Sequence, residues 1–173
     1  MTPDQVKGIV MFLMPGVVNE QKTTRKLLAA TLQEQLGFKL GEKGRTAKEL
    51  MWHISVADVW FLNSIADLSF GMEEGPKAPG TVREIVDWYE TEYAKGVARV
   101  SAMTPDQLAT PINFYNMYNM PAGIYLNFLV NHQLHHRGQL STYLRAMNAH
   151  VPSIYGGSAD EPFEMPATEA ASA

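Results

Sequence analysis

The chain has 173 residues, of which 46% are hydrophobic and 18% are charged, so it can bury the core of one globular domain and is too apolar for disorder. Its net charge of −4, without a basic stripe, argues against nucleic acid as a partner. It contains no cysteine, which excludes disulfides, thiolate metal ligands and a cysteine nucleophile.

Membrane insertion and export are not indicated. No stretch approaches the run of about 18 apolar residues that is needed to span a membrane. The first 16 residues contain Lys7 as their single basic residue and are interrupted by Pro15 and Gly16, so they make a poor signal peptide. We therefore expect a cytoplasmic protein.

The chain begins with a helix start signal. Thr2 can cap the helix, Pro3 suits its first position, and Gln5 follows the cap by three residues. This segment is expected to stop near Pro15. A second helical stretch is predicted from about Val17 to Leu36, and the first segment either docks on it or continues into it with a kink.

After a glycine-rich turn, a capping box at Thr46–Glu49 opens the next predicted helix, which runs to Phe70. On a helical wheel His53 points inward, with Trp60 at about −20° and the small Ala57 at about +40° from it. The small side chain leaves room beside the imidazole. A lone histidine on an apolar face is more often a hydrogen-bonded core residue than a metal ligand, and both interpretations stay open here.

Breaker-rich residues 71–80 predict a loop, and a third capping box at Thr81–Glu84 starts an amphipathic helix that ends at about Met103. Residues 104–107 repeat the start signal of residues 2–5 and predict a single helical turn. The connection at 110–120 alternates large apolar residues with asparagines. A short strand is one alternative for this connection, which we expect to lie against the bundle.

The long stretch Tyr125–Met147 has no proline and contains three of the five histidines. His136 lies at about +40° from His132 on the wheel, within an apolar stripe that should face the core. This i,i+4 spacing allows two imidazoles to reach one ion. Two core histidines, hydrogen-bonded to backbone or carboxylates, are the alternative. His135 lies at about −60°, at the edge of the stripe, and is interpreted as a flanking residue.

Four substantial helices without a convincing strand predict an all-α fold, a four-helix bundle. Residues 1–161 are assigned to one domain. The small and polar residues 162–173 are expected to form a frayed tail.

Several motifs together resemble one family. They are GRTAKELMWHIS around His53, HQLHHRGQL around His132 and His136, and the following YLRAM and VPSIYG. This combination is similar to the DinB/YfiT-like superfamily of four-helix metal-binding proteins, from the first long helix to about Glu161. The resemblance implies that His53, His132 and His136 bind a divalent metal, usually zinc or nickel. Three histidine ligands leave a fourth position open for water or substrate, which is typical of catalytic sites.

Relatives in this superfamily include thiol-dependent transferases and isomerases that use bacillithiol or mycothiol. The resemblance therefore implies a thiol S-transferase or hydrolase that acts on a small electrophilic substrate, with metal-bound water or thiolate as the nucleophile. A metal- or ligand-binding protein without turnover is the alternative. An interaction module whose histidines are merely buried is a third interpretation.

Three further polar residues lie in or near these motifs. Gln139 falls on the inner stripe and could hydrogen-bond to a ligand histidine. Arg137 points elsewhere and is expected to pair at a surface or interface. Asp58 lies at about +140° from His53 and is not expected to be a ligand.

The Tyr125–Met147 helix also has a second apolar stripe away from the histidines, formed by Leu126, Val130, Leu134 and Leu144. A wide apolar stripe that is left in water forms an exposed patch, and part of this one could be covered within the chain. We expect the remainder to take part in a two-fold homodimer, and proteins that resemble this one are often dimers.

Overall fold

Four long helices form the bundle in the computed structural model, which describes residues 1–71 and 75–163. They are α1 (Pro3–Ala29), α2 (Ala47–Asp67), α3 (Val82–Ser101) and α5 (Leu126–Ala146), with the one-turn helix α4 (Pro105–Ala109) between α3 and α5. This confirms the predicted all-α four-helix bundle. Most of the expected frayed tail, residues 164–173, lies outside the described residues.

Capping boxes start four of these helices. In each, a threonine hydroxyl accepts a hydrogen bond from the amide three residues later, and the Gln or Glu at that position accepts one from the threonine amide. Each threonine cap stabilises its helix by about 1 kcal/mol. The pairs are Thr2–Gln5, Thr46–Glu49, Thr81–Glu84 and Thr104–Gln107.

The helix α1 runs without interruption through Pro15, so the first segment continues into the second instead of docking on it as a separate helix. A proline inside a helix has no amide to donate to the carbonyl four residues earlier, here that of Met11. Both Met11 and Pro15 are exposed, so solvent can replace the missing donor. The other face of α1 is held by buried contacts of Val10 and Val17, which keep the helix continuous.

The end of α1 differs from the prediction, because the helix ends at Ala29 instead of Leu36. The connection then folds back on the start of α2. The carbonyl of Leu36 accepts from the amide of Lys48 at 3.0 Å, and that of Phe38 accepts from Ala47 at 2.8 Å. These bonds satisfy first-turn amides that no helix can satisfy internally, and a longer α1 would forfeit them.

The connection before α5 contains a two-stranded antiparallel hairpin, β1 (Pro111–Phe114) and β2 (Tyr118–Pro121). Its turn places Tyr115 and Asn116 at φ of 50° and 59°, and the amide of Asn116 donates to Asn113 Oδ1 at 2.7 Å. The buried Tyr125 donates its hydroxyl to the carbonyl of Ile112 at 3.0 Å. This bond anchors the hairpin on the bundle. The connection at 110–120 therefore lies against the bundle, as the sequence predicted.

The helices close into a ring in which α2 packs against α3 and α5, and α1 packs against the same two helices. A Cβ atom at Gly96 of α3 would lie 2.7 Å from the Cβ of Leu62, so glycine permits the close approach of α3 to α2. The inner stripe of α5 is buried as predicted, including Leu129, Leu140 and Met147. The α2–α5 interface therefore brings the histidine-bearing faces of the two helices together.

None of the helices in the described parts of the chain combines the length and apolar character that crossing a membrane requires.

Candidate metal centre

Three imidazoles meet where α2 faces α5. His53 projects from α2, and His132 and His136 project from successive turns of α5. The Nε2 atom of His53 lies 3.0 Å from Nε2 of His136 and 3.3 Å from Nε2 of His132. Zinc bonds of about 2.0–2.1 Å in tetrahedral geometry separate neighbouring ligand nitrogens by roughly 3.3 Å. The spacing therefore fits one shared ion, and one ligand atom from each ring lies within 4.8 Å of the others.

The opposite nitrogens of two rings are held by acceptors. Nδ1 of His132 faces Asp58 Oδ1 at 3.2 Å, and Nδ1 of His136 faces Gln139 Oε1 at 2.7 Å. Each Nδ1 therefore carries the proton, which leaves a lone pair on each Nε2. These lone pairs face the Nε2 atom of His53, so a cation between the rings could bind all three nitrogens. The donor set thus fits a divalent metal.

The acceptor behind His132 belongs to a buried polar cluster. Tyr89 and Gln133 both donate to Asp58 Oδ2 at 2.9 Å, and the Asp58 side chain is fully buried. Burial raises the pKa of Asp58, while hydrogen bonds from His132, Gln133 and Tyr89 oppose that rise. Three donors therefore surround this carboxylate and oppose the effect of burial, and its Oδ1 atom faces His132 as the acceptor.

Sequence reasoning did not find this cluster. The helical wheel excludes Asp58 as a metal ligand but predicts no other role for it. The sequence predicts no role in the site for Gln133 or Tyr89. The available signal was the cost of burying polar side chains within apolar helices, because such side chains need partners. That signal marks a residue as paired, but it does not identify the partner.

The other two histidines have depressed pKa values. Burial, followed by repulsion from His136, lowers the pKa of His53 to about 4. Burial also lowers the pKa of His136, against the hydrogen bond to Gln139, which raises it. Both rings are therefore neutral at pH 7 and able to act as ligands.

Gln139 connects the cluster to the exposed His135. Its Oε1 atom accepts from His136, while its Nε2 atom lies 3.2 Å from Nε2 of His135. These two contacts orient the amide consistently, with oxygen toward the metal-ligand candidate. His135 itself is not among the three converging residues.

Arg137 corrects an expectation, because it was assigned to a surface or interface and is instead 1% exposed. Its Nη1 atom lies 2.5 Å from Glu20 Oε2 of α1, and it also contacts the hydroxyl of Tyr155. The side chain points away from the histidines, as the wheel indicated. The prediction failed because the wheel does not reveal that α1 covers this side of α5.

A cavity of about 880 Å³ opens beside the cluster, and both His53 and His132 contribute to its wall. Ala57 also lines the cavity, so the room expected beside His53 is present. The remaining wall is largely aromatic and aliphatic. A small molecule in this cavity would be next to two of the three histidines.

The fold and the histidine cluster agree with a comparison against known families, in which the model of the DinB family matches residues 13–166. The chain belongs to the DinB family. It is 33% identical to the uncharacterized protein YrdA of Bacillus subtilis strain 168 over 144 residues, which cover 82% of this chain and 85% of YrdA.

Two solved structures resemble this DinB chain. A DinB-like protein from Bacillus cereus ATCC 10987 has a TM-score of 0.67 and 30% identity, with 79% of this chain and 91% of that chain covered. The DinB-like protein YjoA from Bacillus subtilis has the same TM-score of 0.67 at 21% identity, with 82% and 96% covered, and supports the fold alone. In the DinB chain, His53, His132 and His136 form a group that could hold a metal ion.

Proposed function

We propose that this DinB protein is a metal-dependent enzyme that transfers a low-molecular-weight thiol to a small electrophilic substrate, or hydrolyses such a substrate. The observation that supports this function is the convergence of three imidazoles at the wall of an apolar cavity. A purely structural metal site is closed by four protein ligands, whereas a site with three protein ligands keeps a position accessible.

The nature of the donors favours zinc or nickel. Three neutral imidazoles suit these borderline cations, whereas magnesium and calcium prefer oxygen ligands. The carboxylate nearest to the cluster, Asp58, is turned toward Nδ1 of His132 and is occupied by other donors. It therefore supports a histidine instead of supplying an oxygen ligand.

When bound, such an ion supplies Lewis acidity for activating a substrate or a nucleophile. The protein contributes the arrangement around it. Asp58 and Gln139 hold protons on the Nδ1 atoms of His132 and His136, so both Nε2 lone pairs face the centre. The apolar cavity holds the substrate beside His53 and His132 and limits access of water to the reacting groups.

Metal analysis and a thiol assay test this proposal together. The purified protein is expected to contain about one zinc or nickel ion per chain. It is also expected to accelerate the transfer of bacillithiol, mycothiol or cysteine to 1-chloro-2,4-dinitrobenzene. If the protein is a hydrolase, it should instead accelerate the hydrolysis of 4-nitrophenyl acetate. His132→Ala should lose both properties, and His135→Ala serves as the matched control on the same helix.

Two outcomes would contradict the proposal. Bound metal without acceleration of either reaction would favour a metal- or ligand-binding protein without turnover. A protein that binds no divalent ion, with its helical content intact, would favour three histidines that are only buried.

A further inference from the structure

The cavity beside the metal centre is built mainly from the rings of α2 and the hairpin. Trp52 and Trp60 stand two turns apart on α2, with Ala57 between them, and Tyr115 of the hairpin turn completes the wall. The rings of Trp60 and Tyr115 are nearly parallel, at 5° and with centroids 6.4 Å apart. The cavity therefore presents extended ring surfaces next to His53.

The polar atoms of these rings are already bound to backbone. Nε1 of Trp52 donates to the carbonyl of Pro76 at 2.9 Å, and Nε1 of Trp60 donates to that of Gly71 at 3.1 Å. The Tyr115 hydroxyl donates to the same Gly71 carbonyl at 3.2 Å. A molecule in the cavity therefore meets the carbon faces of these rings, since their donors are occupied.

The position of Trp52 is further supported from outside the cavity. Its ring packs against that of Trp88 on α3, with centroids 4.6 Å apart. Together with the indole hydrogen bond, this contact holds the ring at the wall. A preformed aromatic surface loses little conformational freedom when a ligand binds.

Charge does not select an ionic ligand here. Apart from the histidines, the charged residues among the described lining are Lys48 and Glu49, one of each sign. The Glu49 carboxylate is also bound to the amide of Thr46 at 2.6 Å. A cavity of about 880 Å³ with apolar walls and few convergent polar groups fits an uncharged organic molecule.

We propose that this cavity binds a small, uncharged aromatic molecule, whose ring lies against Trp52 and Trp60 and whose polar end points toward His53 and His132. The inference rests on the proposed function, because it identifies the cavity as the substrate site and names the class of substrate. Aromatic ligands are favoured over saturated ones because ring–ring contacts add to the energy of burial.

The test compares 2-naphthol with decahydro-2-naphthol, which has the same carbon skeleton and hydroxyl but no aromatic ring. Isothermal titration calorimetry on the purified protein is expected to show at least about fivefold tighter binding of 2-naphthol. Trp60→Leu should weaken 2-naphthol binding about tenfold and remove this preference. Ala57→Leu, which fills the cavity without removing a ring, should weaken both ligands, and circular dichroism checks that both variants are folded.

Phe163→Leu provides the matched control, because Phe163 lies outside the cavity wall and is 69% exposed. It should leave 2-naphthol binding unchanged. Equal binding of the two alcohols by the wild-type protein would overturn the inference. An equal loss in Phe163→Leu and Trp60→Leu would also overturn it, because adsorption to exposed apolar surface would then explain the binding.

The same titration distinguishes this inference from the proposed function. His136 is not part of the cavity wall, so His136→Ala and chelated protein should still bind 2-naphthol while thiol transfer is lost. Binding of 2-naphthol without turnover in the thiol assay would support the assignment of the cavity as an aromatic binding site and contradict the proposed enzymatic function. Turnover of electrophiles such as iodoacetamide without 2-naphthol binding would overturn the aromatic specificity alone.

Discussion

In the histidine cluster, the side chains behind the rings determine which ring nitrogens face one another and could bind an ion. Asp58 accepts from His132, and Gln139 accepts from His136, so the opposite nitrogens of both rings are free to bind. His135 lies outside the cluster, where its Nε2 atom meets the Gln139 amide and its ring packs against that of His136 with centroids 4.8 Å apart. The consequences for metal binding can be measured one side chain at a time.

The first prediction separates ligands from the neighbouring histidine. Replacing His53, His132 or His136 by Ala should abolish stoichiometric metal binding, because two imidazoles bind a divalent ion far more weakly than three. His135→Ala should retain most of the metal. Elemental analysis of the purified variants gives the metal content, and an equal loss in His135→Ala and His132→Ala would show that the ligand set is wrong.

The second prediction concerns Asp58. Asp58→Asn keeps the shape of the side chain but removes the charge that holds the His132 proton, so metal affinity should fall roughly 10- to 100-fold. Competition with a chromogenic chelator measures this change. Tyr89→Phe removes a donor to Asp58 and leaves its carboxylate beside His132, so its metal affinity should fall much less; equal effects of the two variants would argue against a direct role of the carboxylate.

Among the helices, α5 has two functional sides. One side presents the histidines toward α2, and the other presents Arg137 to Glu20 on α1. The Arg137 guanidinium also contacts Tyr155, so it joins α5 to the segment that follows it as well as to α1. Packing on the α1 side therefore helps to position the helix that carries two of the three histidines.

The third prediction is that Arg137→Met destabilises the bundle by about 3 kcal/mol, because it leaves the largely buried Glu20 carboxylate without its charged partner and with the Tyr155 hydroxyl as a remaining donor. Urea unfolding monitored by circular dichroism measures the change. The double variant Glu20→Gln/Arg137→Met should be less destabilised than Arg137→Met alone, since no unpaired charge remains. A double variant that is less stable than the single one would mean that the uncompensated Glu20 charge does not cause the destabilisation.

For the whole molecule, we expect the hydrophobic core and a bound metal to contribute separately to stability. The core extends through all four long helices, and its residues include Leu27, Ile54, Tyr89 and Leu144. A core of this size does not need a metal to fold, in contrast to small zinc domains.

The fourth prediction follows from this core. Removal of metal by a chelator should preserve the helical circular dichroism spectrum and lower the melting temperature, because a bound ion adds about 2.7 kcal/mol when its free concentration is 100 times the dissociation constant. His132→Ala should already melt at the lower temperature and should not respond to chelator. Loss of the helical signal on chelation would show that the metal is required for folding.

Assembly is a second property of the whole molecule. Two residues of the outer stripe predicted on α5, Leu126 and Leu144, are fully buried within the chain, and Leu134 is 37% exposed. The homodimer remains our proposal, but this stripe offers it little surface. Helix α1 exposes more apolar surface, with Met11 at 66% and Phe12 at 83%.

We infer that the exposed face of α1 suits pairing with a second copy of itself. Gly8 and Gly16 lie one turn before and after Phe12, and a Cβ atom at either glycine would meet nothing within 4 Å. An antiparallel pair of α1 helices could place each Phe12 between these glycines of the other copy. Asp4 and Lys22 are both exposed at about −80° from Phe12, so the same pairing brings opposite charges together.

The fifth prediction is therefore a dimer of about twice 19.2 kDa by light scattering coupled to size exclusion. Phe12→Ser should dissociate it, whereas Leu134→Ser should leave it intact, and neither should change the metal content. Dissociation by Leu134→Ser alone would place the interface on α5. A wild-type mass near 19.2 kDa at micromolar concentration would refute the dimer.

The sequence by itself determined the features that depend on residues close together in the chain. Threonine with Glu or Gln three residues later marked four helix starts, since capping is local. The i,i+4 spacing placed His132 and His136 on one face of α5, and the helical wheel predicted that His53 points inward from α2. The bundle follows from such amphipathic helices, because each must bury its apolar face against another.

Only the tertiary structure decided which neighbour each face would meet. Asp58 lies about 140° around α2 from His53, yet both reach His132, because α5 runs alongside α2 and contacts both positions. Arg137 is buried because α1 packs on the outer side of α5, and α1 remains helical at Pro15 because the bundle holds its opposite face. A helical wheel gives directions about one axis, and the distances between axes arise from packing.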